Sequence, residues 1–291
     1  MLASYLPFAA LTLSLAALWL RRDANGGFGR HAWKFCLGAA VLAALASGVV
    51  APLGCIWLAL FVLAVRIFAT SPARRWQTVA AIAIVGLGGA LIAHRLPGFD
   101  NPRVISGLQL SADAIPYRLH LNFDKTFVGL ILLALSHPLL RSGAEWRDMI
   151  RRALPVAAGL LGVTLVLSLA LGYVRFAPKF PREAWLWIWA NLCFTCMAEE
   201  AFFRGFIQFR LGRAWTSVRG GKWLALGLAA VLFGFAHFGG GPVYVALATI
   251  AGAGYGWVYW RSGGRIEASI LTHFMLNAVH FFGFTYPALQ G

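Results

Sequence analysis

The chain has 291 residues, of which 60% are hydrophobic and only 12% charged, with a mean hydropathy of +0.72. Too little polar surface remains to face water, which excludes a soluble domain, and the long apolar runs exclude the alternating strands of an outer-membrane barrel. A net charge of +15 would suggest nucleic acid in a soluble protein, but these basic residues gather in short loops, as the positive-inside rule requires, and no nucleic-acid partner is expected.

The fold expected is therefore all-α: a polytopic transmembrane helical bundle of about ten helices. Read by apolar length, the segments are Leu2–Leu20, Trp33–Val50, Leu53–Thr70, Trp76–Ile92, Phe127–Leu140, Ala153–Val174, Trp185–Leu211, Trp223–Phe238, Val243–Trp260 and Ile266–Phe284. No basic stretch precedes the first segment, and Arg21 and Arg22 follow it. That pattern fits a retained first helix with its N-terminus outside, not a cleaved signal peptide.

With both termini outside, the inner loops hold seventeen of the 25 Lys and Arg residues, and the outer loops hold seven. Arg204, inside the seventh segment, completes the set. The bias supports ten segments in this orientation. An integral, multi-pass protein of a bacterial inner (plasma) membrane is expected, with the lipid bilayer as its surroundings.

The chain divides into three stretches. Residues 1–95 carry four apolar helices with no charge at mid-membrane depth, and these are expected to be accessory. Residues 96–125 form an extracytoplasmic loop with Pro97, Pro102, Pro116 and three aspartates. Residues 126–291 form the core. The four cysteines, Cys36, Cys55, Cys193 and Cys196, all lie in apolar segments. They read as small packing residues, and no disulfide framework is expected.

Polar groups inside apolar segments mark the chemistry, because each charge near the bilayer centre costs roughly 2.5–3.5 kcal/mol. The seventh segment contains Glu199-Glu200-Ala-Phe-Phe-Arg204. Glu200 and Arg204 stand i, i+4 with the acid first, the favourable order for a helical ion pair, while Glu199 points about 100° away. The eighth carries Phe233-x-x-x-His237, closed by Gly239, Gly240, Gly241 and Pro242. The tenth carries His273-x-x-x-Asn277, with His280 one further turn along. Between them, Gly252-x-x-x-Gly256 fits close helix packing.

A carboxylate beside an imidazole in a low-dielectric pocket can hold a water and take its proton. A second histidine and an asparagine amide can donate to the oxyanion of a tetrahedral intermediate. Together they suit amide hydrolysis. Glu199, His237 and His273 also suit a zinc ion with an activated water, although His-Glu-x-x-His is absent. A non-catalytic scaffold and a proton-coupled carrier using Glu199, Glu200 and His237 are the rival readings. The carrier predicts inverted repeats, and the sequence has none.

Three ordered motifs, Glu199-Glu200-x-x-x-Arg204, Phe233-x-x-x-His237 and His273-x-x-x-Asn277, resemble the type II CAAX prenyl endopeptidase and bacteriocin-processing (CPBP or Abi) family over about residues 185–285. The resemblance implies a glutamate-dependent intramembrane endopeptidase acting on a membrane-associated protein or peptide. Glu199 would activate the water with His237, His273 and Asn277 would form the oxyanion site, and Glu200, Arg204 and Phe233 would support them. It implies no required cofactor, with zinc the alternative, and a bacteriocin-immunity or scaffolding member as the non-enzymatic relative. The four additional N-terminal helices exceed the family's compact core.

Overall fold

The structure is a computed structural model that describes residues 2–20 and 31–290. It is mostly helical, 72%. In chain order the helices are α1 (Leu2–Leu20), α2 (Ala32–Ala46), α3 (Pro52–Thr70), α4 (Arg74–Ile92), α5 (Phe123–Ser136), α6 (Gly143–Ala170), α7 (residues 184–214), α8 (Gly221–Ala236), α9 (Gly241–Arg261) and α10 (Ile266–Gly283). Every expected segment has a helix. Arg21, Arg22 and Arg30 lie outside the described residues.

Local chemistry explains where the boundaries moved. Helix α6 begins ten residues before the apolar run, because Ser142 and Glu145 form a reciprocal capping box: Glu145 N donates to Ser142 Oγ at 3.2 Å and Ser142 N donates to Glu145 Oε2 at 3.0 Å. Helix α2 stops at Ala46 because Gly48 turns the chain with φ of 77°. Helix α5 ends before His137, which precedes Pro138 and is extended, as a residue before proline tends to be.

The fold is not purely α. The stretch expected as a loop contains two paired strands, β1 (Arg103–Leu108) and β2 (Tyr117–His120). Gln109 organises the connection by donating from Nε2 to Ser111 O and Ala114 O, each at 2.7 Å.

Among the described residues three helices are long and apolar enough to cross a membrane: Pro52–Thr70, Arg74–Ile92 and Gly143–Ala170. A fourth span exists if α8 and α9, bent by 58°, are taken together. Length explains part of the shortfall from ten. The 14 residues of α5 rise only about 21 Å, against a hydrocarbon core of about 30 Å.

The contacts divide the chain into two units. The first comprises the stretch ending at Pro102, with His120–Arg141 and Cys193–Phe202. Within it α1 packs on α2, α3 on α4, and α5 against α1, α3 and α4. Gly88 of α4 lets the rings of Phe61 and Phe202 approach, since a Cβ there would meet them at 3.0 and 2.9 Å.

The second unit comprises Arg103–Leu119, Ser142–Leu192 and the chain from Phe203 onward. Its aromatic core joins the strand pair to α7 and α10. The Trp187 ring stacks on Phe281 with centroids 4.2 Å apart, and Trp187 Nε1 donates to the Tyr286 hydroxyl at 3.2 Å.

Candidate active site

Helix α7 carries the glutamates and is unusual in its winding. Two π-helical stretches, Asn191–Cys196 and Ala201–Gln208, flank the short α segment Met197–Glu200. Such π turns interrupt a helix at a cost and recur at functional sites. Glu199 and Glu200 sit between them, 5% and 0% exposed.

In the first unit, Glu199 Oε1 accepts from Lys125 Nζ at 2.5 Å, with both side chains buried. Lys125 is thus no outer-loop charge. It belongs to the first turn of α5, facing the glutamate. Gly129, one helical turn on, makes the approach possible, because a Cβ there would lie 2.5 Å from Ala198 Cα. Sequence offered one clue: a lysine opening an apolar run is costly without an anion.

In the second unit, four helices line a cavity of about 70 Å³ that opens to the outside. His237 of α8, and His273, Asn277 and His280 of α10, all line it. The expected residues His237, His273, Asn277 and Phe233 are therefore brought together.

The geometry gives each a definite setting. His237 ends α8, and its Nδ1 lies 2.8 Å from Phe233 O. A carbonyl can only accept, so Nδ1 carries the proton and the neutral ring has its lone pair on Nε2. Phe233 stands against both histidines, with centroids 4.7 Å from His237 and 5.6 Å from His273. His273, 4% exposed, stacks on Tyr255 at 4.6 Å. Asn277 Nδ2 donates to Asn191 Oδ1 at 3.2 Å. His280 Nε2 lies 3.1 Å from Thr285 O, so there the proton is on Nε2.

Arg204 is fully buried and belongs to this unit as well. Its Nη2 donates to Gly252 O at 2.8 Å, and its guanidinium lies 4.4 Å from the Phe233 ring centroid and 5.2 Å from that of Tyr255. Four residues later Gln208 Nε2 donates to Gly256 O at 3.0 Å. The Gly252-x-x-x-Gly256 face of α9 thus receives two polar side chains of α7 at matching spacing. Small residues expose their carbonyls there, which serves hydrogen bonding as well as packing.

The sequence reading did not include Thr164 and Ser168 of α6, or Tyr173 and Tyr244, which also line the cavity. The i, i+4 hydroxyls in an apolar helix were the available signal. Among the described residues no three His, Cys, Asp or Glu side chains are grouped as ligands for a metal ion. Of the three residues named for zinc, His237 and His273 line the cavity. The four cysteines are free.

A cavity lined by four helices, with histidines and an amide from two motif helices among apolar side chains, defines a class: a helical protein with a histidine- and amide-bearing site. Comparison with known families points further. Residues 181–279 match the model of the Rce1-like type II CAAX prenyl endopeptidases. The match supports the CAAX protease family, and the resemblance of the motifs is borne out. It covers about a third of the chain. No curated protein and no solved structure matches the chain.

Proposed function

We propose that this protein is an intramembrane endopeptidase that hydrolyses a peptide bond of a membrane-associated protein or peptide. The observation that carries the reading is the convergence of His237, His273 and Asn277 on one cavity, within the segment that matches CAAX endopeptidases. A membrane setting is supported by apolar side chains turned outward on the long helices. Ile82 of α4 is 68% exposed and Val166 of α6 is 64% exposed, and such faces suit lipid. The topology follows the charge bias, with both termini outside and a bacterial inner membrane as the location.

The roles come from the resemblance of the motifs: Glu199, assisted by His237, takes a proton from water, and the hydroxide adds to the scissile carbonyl carbon. Negative charge develops on the carbonyl oxygen, where a His273 N–H and the Asn277 amide donate to it. The proton then passes to the leaving nitrogen as the C–N bond breaks, giving a carboxylate and an amine. Every step is carried by side chains. Glu200, Arg204 and Phe233 support the helices that hold these groups.

The test compares peptide termini in membranes of cells lacking the protein and complemented with wild type or Glu199→Gln. The swap keeps shape and removes the base. New termini with wild type alone are expected, and they identify the substrate. Equal termini with both forms would overturn the catalytic reading.

A further inference from the structure

We propose that Lys125 is a positioning residue for Glu199, so that helix α5, outside the matched segment, sets the orientation of that carboxylate. The inference rests on the reading of Glu199 as the water-activating group. Three observations converge on it within the first unit.

The ion pair is short and enclosed. Lys125 Nζ lies 2.5 Å from Glu199 Oε1, and the two side chains are 11% and 7% exposed. In a dry setting such a bond is directional and not screened by salt. It holds one oxygen of the carboxylate in place, and so restricts the directions open to the second.

The lysine is itself anchored. Its backbone N donates to Asp124 Oδ1 at 2.9 Å, and Asp124 is 1% exposed. The same oxygen accepts from Asn101 Nδ2 at 3.0 Å, and Oδ2 lies 2.8 Å from His94 Nδ1. Asn101 Oδ1 accepts in turn from Phe123 N at 2.8 Å. The start of α5 is therefore tied to the segment that follows α4.

The two helices also touch through backbone. Gly129 shares a face of α5 with Lys125 at i, i+4 and abuts Ala198, the neighbour of Glu199. The spacing between the two backbones that carry the ammonium and the carboxylate is thus set by a contact that side-chain rotation cannot relax.

The experiment uses the full chain in the same complemented cells, scoring the new termini with wild type, Glu199→Gln, Lys125→Met and Lys125→Arg at equal membrane abundance. Lys125→Met should yield about a tenth of the wild-type termini or fewer, and Lys125→Arg, which keeps the charge, should recover a large part. Wild-type cleavage by Lys125→Met, or no recovery with Lys125→Arg, overturns the proposal. If Glu199→Gln keeps every terminus, the protease reading itself fails, whatever Lys125 does. A readout independent of cleavage is thermal unfolding of the purified protein in detergent. Lys125→Met should lower the melting temperature, and Lys125→Met with Glu199→Gln should regain most of the loss. Additive losses would show that the pair is not coupled and would also overturn it.

Discussion

Each hydrogen on the Asn277 amide has a distinct role in the proposed reaction. One goes to Asn191 Oδ1 at 3.2 Å, which fixes the side chain, and the other would donate to the oxyanion. Removing such a donor costs about 10²–10³ in turnover. Asn277→Ala should show a loss of that size, measured as the rate of appearance of the new termini. Asn191→Ala should lower the rate less, because it leaves the donor in place and frees only its orientation. In the Asn277→Ala background the Asn191 change should add almost nothing, since coupled residues are not additive. The motif residues were legible in sequence because polar groups in apolar segments are costly and stand out. Asn191 was not legible, and for Lys125 only its place at the head of an apolar run called for an anion, without saying which. Each acts through a partner 86 or 74 positions away, and no local spacing records such a pair.

At the scale of helices, glycines separate into those that permit an approach and those that face open space. Gly129 on α5 is of the first kind, with Ala198 Cα 2.5 Å from where its Cβ would stand. Backbone cannot rotate away, so Gly129→Ala should destabilise the protein by about 1–3 kcal/mol, the usual cost of overpacking. It should also reduce cleavage, because α5 carries Lys125. Gly159 of α6 is of the second kind, with nothing within 4 Å of a Cβ placed there. Gly159→Ala should be neutral or stabilising by up to about 1 kcal/mol through helix propensity. Thermal unfolding of the two variants side by side checks both, and equal effects would refute the contact argument. All ten helices were readable from apolar length, whereas their ends depended on Ser142, Gly48 and Pro138. The strand pair was hidden because β1 and β2 have 6 and 4 residues, too short to stand out beside helices of 14 residues or more.

At the scale of the molecule, the charge pattern makes a claim about sidedness that helix positions alone do not. Lys125 drops out of the outer set once it is buried against Glu199, and six basic residues remain there against seventeen in the inner loops. The bias therefore strengthens, as expected if the short inner loops are held by their charge. Two exposed positions discriminate the topology. Ala112 follows β1 in the stretch read as extracytoplasmic, and Ser217 lies in the basic turn between α7 and α8. In intact cells a membrane-impermeant maleimide should label Ala112→Cys. It should reach Ser217→Cys only after the membrane is opened. The four native cysteines lie in helices, and the unsubstituted chain provides the background. Labelling of Ser217→Cys but not of Ala112→Cys from outside would invert the orientation. It would then put the Arg210, Arg213, Arg219 and Lys222 cluster on the wrong side of the membrane for the positive-inside rule. Labelling of both positions without opening the membrane would mean that an odd number of the segments between them fails to span. Helix α5 is then the first to doubt, since its 14 residues are the shortest of the ten and fall about 9 Å below the thickness a span must cover.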